Sequence, residues 1–169
     1  MKNLVIITLT SLLMLISKQE QISKVVTFKI PNRMESKQKD EILKQQRSYF
    51  KRGAMTAAME HQYKFGNIFF GFHDNISNGN ADLNSVLSSF YDHPESKKMN
   101  KEVMSAEIVQ YKNTKFIVNK SFIGEEGIYV FITEAKNKNS FEGAICFKKE
   151  DENKAKKILD EFLNSVVMK

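Results

Sequence analysis

The chain has 169 residues, 41% apolar and 27% charged, with 7 Gly, 2 Pro, no Trp and a single Cys. This composition fits one globular domain built on one apolar core, and it excludes collagenous and disulfide-stapled architectures. Lys and Arg number 26 against 20 Asp and Glu, a formal net charge of +6, but the basic residues are spread rather than concentrated in one stripe with aromatics between them, which argues against a dedicated nucleic-acid binder.

The N-terminus pairs Lys2 with the apolar run Leu4 to Ile16, and polar residues follow from Ser17. This is the pattern of an export signal, and the run falls short of the roughly 20 residues that a membrane-crossing helix needs. Residues 1–17 are therefore expected to be a signal peptide and 18–169 a single mature domain, exported to the periplasm or secreted, with no transmembrane anchor. A buried N-terminal core helix is the alternative.

Val26, Phe28 and Ile30 alternate with Val25, Thr27 and Lys29 until Pro31-Asn32, which predicts a first strand. Residues 36–52 are rich in helix formers, with Ile42, Tyr49 and Phe50 at helical spacing before Gly53. The run 67–73 predicts a strand with Ile68, Phe70 and Phe72 on one face. Leu83, Val86, Leu87 and Phe90 stand at i, i+3, i+4 and i+7, an amphipathic helix that Asn80 or Asp82 can cap and Pro94 ends.

Four β-like runs follow, at 104–111, 115–121, 127–134 and 140–148, and the short polar turns between them force antiparallel neighbours. A closing helix is predicted over 150–168. Ile128, Val130, Ile132, Ile145, Ile158, Leu159, Phe162 and Leu163 are the expected core of this half. Cys146, alone and within an apolar strand run, reads as a small buried hydrophobe rather than a reactive thiol.

The opening phrase VTFKIPNRM, the long central insertion, the helix from Asp82 to Asp92, the meander and the closing AKKILDEFLNSVVMK together resemble the PsbP-like superfamily, in particular its small exported bacterial members. The resemblance implies an α+β fold in which an antiparallel sheet is covered by helices in an α/β/α sandwich. It implies no shared activity, because one fold hosts many functions.

Chemistry-bearing residues are few. His73-Asp74 ends a predicted strand and Asp92-His93 ends a predicted helix, so a meeting of the two ends would offer two imidazoles and a carboxylate to a metal; turn-capping and solvated roles compete with that reading. No G-x-S-x-G accompanies Ser88 and Ser89, and neither phosphate-binding glycine pattern occurs, so no cofactor is expected.

Lys44, Arg47 and Lys51 fall at i, i+3 and i+7 beside Tyr49 and Phe50, a basic stripe that reads either as a solvated helix face or as contact with an acidic partner. Met34, Met55 and Met59 read either as core filling or as an adaptable partner-binding surface, and segment 34–63, which mixes them with the basic stripe, has a composition suited to a lid or docking surface. The resulting expectation is an exported, monomeric, non-enzymatic protein that binds an envelope protein or an anionic envelope polymer through Lys44, Arg47, Tyr49, Phe50 and Lys51, and no nucleic acid. A small extracytoplasmic hydrolase with its site near His73, Asp74 and His93, or an immunity or inhibitor protein against a toxin, are the alternatives.

Overall fold

The computed structural model describes residues 19–20, 26–76, 82–92 and 104–169, with the backbone alone at 19–20 and 74–76. The proposed signal segment 1–17 lies outside the described residues. The protein is a mixed α+β fold with a large antiparallel sheet and, among the described residues, three α-helices. None of these helices is long and apolar enough to cross a membrane.

In chain order the elements are β1 (Gln19–Glu20), β2 (Val26–Lys29), β3 (Glu35–Ser36), α1 (Lys39–Tyr49), β4 (His61–Phe65), β5 (Ile68–Ile76), α2 (Leu83–Asp92), β6 (Met104–Tyr111), β7 (Thr114–Ile123), β8 (Glu126–Thr133), β9 (Ser140–Lys148), α3 (Glu152–Leu163) and β10 (Val167–Met168). Seven strands form the main sheet in the order β3-β4-β5-β9-β8-β7-β6, and β1-β2-β10 form a small second one. The main sheet is thus two meanders joined where β5 pairs antiparallel with β9, Phe69 opposite Cys146 and Phe70 opposite Ile145.

Period-2 alternation sorts the side chains of these central strands onto two faces. Phe70 and Phe72 of β5, Tyr129 and Phe131 of β8 and Ile145 and Phe147 of β9 share one face with Ala155, Ile158, Leu159, Phe162 and Leu163 of α3 and with Val26 and Phe28 of β2. Phe162 is the hub, its ring centroid 4.7–5.9 Å from those of Phe28, Phe70, Phe72, Phe131 and Phe141. Phe69 and Cys146 point the other way and pack with Ile42 and Phe50 from α1 and the turn after it. Helix α2 contacts β6 and β7. Strand β5 is apolar at consecutive positions because both its faces are covered.

Glycines make close approaches possible at the centre. A Cβ on Gly143 would lie 2.4 Å from Phe131 Cζ and 2.7 Å from the Gly71 carbonyl, so the hydrogen-sized side chain is what lets the tip of the Phe131 ring come this close to β9.

Several sequence expectations change. Ile128, Val130 and Ile132 are half-buried, and their neighbours Tyr129 and Phe131 are the buried residues of β8; a strand apolar at every position does not reveal which alternate set the larger helix will cover. Ile145, Ile158, Leu159, Phe162 and Leu163 are core as expected. The closing helix stops at Leu163 rather than running to Met168, because Val167 and Met168 pair with Thr27 and Val26 and the Ser165 hydroxyl accepts the Lys29 amide at 2.9 Å. Segment 34–63 is not a free lid: it contains β3, α1 and the start of β4, paired in register with β5. Helix α2 starts where expected, with Asp82 Oδ2 accepting the Ser85 amide at 3.3 Å; Asn80, the other expected cap, lies outside the described residues.

Candidate functional site

Helix α1 carries Asp40 and Glu41 in its first turn and Arg47 in its last, the distribution its macrodipole favours. One face buries Ile42, Leu43 and Gln46, and the opposite face leaves Lys44 and Arg47 exposed. The helix ends at Tyr49; Phe50 turns to extended backbone and drops its ring into the core beside Phe69, at 2% exposure. Phe50 is therefore part of the interior and not of a contact surface, which corrects the expectation for that residue; the extended backbone at the helix end turns its ring toward the sheet. Tyr49 is half-buried, and Lys51 and Arg52 are exposed.

The turn after α1 is fastened to the sheet by one carboxylate. Glu126, the first residue of β8, is 4% exposed; its Oε1 accepts the Lys51 amide at 2.7 Å and its Oε2 the Arg52 amide at 3.3 Å, while Lys148 Nζ reaches Oε1 at 3.2 Å. Burial alone would push its carboxyl upward, but the Lys51 amide, the Lys148 ammonium and the Arg52 amide outweigh it and hold Glu126 below the ordinary carboxylate value. Lys148 in turn lies over the rings of Tyr49 and Phe50, 5.3 and 5.5 Å from their centroids. Gly53, at φ +78°, then lets the chain double back, its amide bonded to the Phe50 carbonyl at 3.1 Å.

Around this anchor the surface is basic. The side chains of Lys44, Arg47, Lys51 and Arg52 form no ion pair among the described residues, since Lys51 and Arg52 contribute only their backbone amides to Glu126. Beside them a shallow pocket of about 210 Å³ is lined by Tyr49, Glu125, Lys148, Lys149 and Glu150. Burial, with Asp151 and Glu150 nearby, raises the Tyr49 phenol, so it stays a protonated hydrogen-bond donor at neutral pH.

Beneath the turn, Gln46, Thr56 and Gln62 form a buried polar cluster. Thr56 Oγ1 bonds Gln62 Oε1 at 2.7 Å, and Gln62 Nε2 donates to the Thr56 and Met59 carbonyls. Gln46 Nε2 finds no oxygen or nitrogen acceptor among the described residues and lies beside the buried Cys146 thiol, whose ionisation burial suppresses.

Compared with protein-family models and with curated protein sequences, the chain matches none. The end of α1 offers a cation-rich surface beside the half-buried Tyr49, and the buried Glu126 carboxylate beneath it is engaged by Lys51, Arg52 and Lys148.

The other expected site is not assembled from what is described. His73 is half-buried on β5 opposite Glu142, whose carboxyl burial raises while His73 moderates the shift. Asp92 is exposed at the end of α2. His93 and the side chain of Asp74 lie outside the described residues, and among the described residues no three His, Cys, Asp or Glu side chains come together as a metal site. Sequence reading missed Glu126 and Lys148, whose partnership depends on the β8–β9 register.

Proposed function

We propose that this protein is an exported, non-enzymatic binding or accessory protein that engages an acidic envelope protein or an anionic envelope polymer through the end of α1. The observation that carries the reading is the set of four exposed cations with no ion pair among the described residues, Lys44 and Arg47 on α1 and Lys51 and Arg52 on the turn that Glu126 fastens to the sheet. A pre-ordered basic surface binds with less entropy to lose than a mobile one, and charge complementarity chiefly sets association rate and choice of partner. Export is supported by the n-region and apolar run of residues 1–17.

A PsbP-like α/β/α sandwich is the architecture we propose for this role. Its support is the placement of α3 on the Phe70 face and of α1 on the Phe69 face of one antiparallel sheet.

The test is capture of partners from an envelope fraction with the wild type and with the Lys44→Glu, Arg47→Glu, Lys51→Glu triple variant. A partner retained by the wild type and lost by a triple variant of matching thermal stability supports the reading; equal capture by both refutes it. N-terminal sequencing of protein from its host tests export independently, and an intact Met1 on intracellular material refutes that part.

A further inference from the structure

The α3 side of the sheet carries a separate cleft of about 180 Å³. Its floor is apolar, made by Pro31, by Phe65 at the end of β4 and by Ile158 of α3. Its rim is mostly cationic, with Arg33 on one bank and Lys154 and Lys157 on the other, and Glu161 as the single acid. Lys154 is taken by Asp151 at 2.8 Å, whereas Arg33 and Lys157 form no ion pair among the described residues. Arg33 is held in place by its turn, which the Met34 amide closes on the Pro31 carbonyl at 2.9 Å.

Two features specify what fits. An apolar cavity of about 150 Å³ holds a benzene ring, so this cleft has room for one large apolar side chain and little more. Two free cations at its mouth favour negative charge on either side of that group, and the aliphatic stem of Lys157 can line the wall while its ammonium stays in water. A neutral apolar ligand would leave both cations unused, and a bare anion would leave the floor unfilled.

We infer that the cleft between Pro31, Phe65 and Ile158 is a binding site for an acidic peptide segment that inserts one large apolar side chain and sets its flanking carboxylates against Arg33 and Lys157. The site is distinct from the α1 surface, because α1 packs on the Phe69 face of β5 and α3 on the Phe70 face. It stands whether or not the α1 surface binds a partner.

The experiment is fluorescence anisotropy of the full chain with a fluorescein-labelled peptide of sequence Gly-Asp-Glu-Phe-Glu-Asp-Gly. Replacing the peptide's Phe by Ala should weaken binding at least about tenfold, since it removes the buried ring. The Arg33→Glu, Lys157→Glu double variant should weaken it by at least about tenfold as well. A control double variant with the same charge change on exposed residues that do not line the cleft, Lys112→Glu on the β6–β7 turn with Lys115→Glu at the start of β7, should bind within about twofold of wild type. Absence of binding, equal affinity for the Ala peptide, or equal weakening by the control variant would each overturn the assignment.

Discussion

The hydroxyl of Tyr91, on the last turn of α2, accepts the Ala106 amide at 3.0 Å and donates to the carbonyl of the same residue. Ala106 faces Asn119 of β7 across the ladder, yet both its backbone polar groups are engaged by the tyrosine on the outer edge of β6. An unpaired strand edge is a template for another strand, and a side chain that takes up its groups blocks that pairing. Tyr91→Phe should lower stability by about 1–2 kcal/mol and promote self-association, since it frees one donor and one acceptor at the edge. Urea denaturation and size-exclusion chromatography check this; an unchanged midpoint together with unchanged elution would mean that the hydroxyl neither stabilises nor guards the edge.

Glu126 should give the α1 turn an acid-sensitive anchor. Its folded-state carboxyl sits below the ordinary value of 4.5, so its contribution is present above that value and is lost as pH falls through the folded pKa, where the unfolded chain has already taken up the proton. At neutral pH Glu126→Gln should be less stable by about 2 kcal/mol, because Lys148 loses its charged partner and the carboxamide nitrogen leaves one of the two amides without an acceptor. The difference from wild type should shrink as pH is lowered below about 5. Paired denaturation curves across that range decide it, and a pH-independent gap would assign the loss to packing instead.

Two glycine substitutions should behave differently. Gly143→Ala puts a methyl group 2.7 Å from the Gly71 carbonyl, which belongs to a central strand and has nowhere to go, so a loss of about 3 kcal/mol is expected. Gly53→Ala meets no atom within 4 Å and suffers only from its φ of +78°, an expected loss of about 1 kcal/mol. If calorimetry reverses that order, the tight approach of β5 and β9 is not what fixes Gly143.

Cys146 should be silent to thiol reagents in the native state. It is fully buried and its ionisation is suppressed by burial, so labelling has to wait for opening of the sheet. The rate of reaction with an aromatic disulfide reagent should therefore track unfolding across added urea; immediate stoichiometric labelling in buffer would contradict the packing of β9 under α1.

Much of the fold was legible because its periodicities are local. The 104–111 and 140–148 runs are β6 and β9 to the residue, and the Leu83 to Phe90 spacing is α2. Strand β4 was not legible: His61-Gln62-Tyr63-Lys64-Phe65 alternates with polar residues on one face, but Gln62 is buried there by Thr56 and the Met59 carbonyl, a partnership that sequence spacing does not advertise. Phe50 was misread for the converse reason, since an aromatic beside a basic stripe looks like a contact surface until the helix end rotates it inward. Lys44 and Arg47 are exposed as a helical wheel requires, while the carboxylate that fastens the turn carrying Lys51 arrives from a strand more than seventy positions away.

The junction of β5 with β9 also bears on the order in which the molecule can be made. Phe69 meets Cys146, 77 positions later in the chain, and α3 follows β9, so neither meander can complete its central pairing while the ribosome is still emitting the second half. A nascent chain that ends before Ser140 presents Phe69, Phe70 and Phe72 along an open strand with neither its neighbour nor its covering helix. Closure of the central sheet is thereby deferred until β9 and α3 have both been made, and until then the apolar face of β5 is open to chaperones.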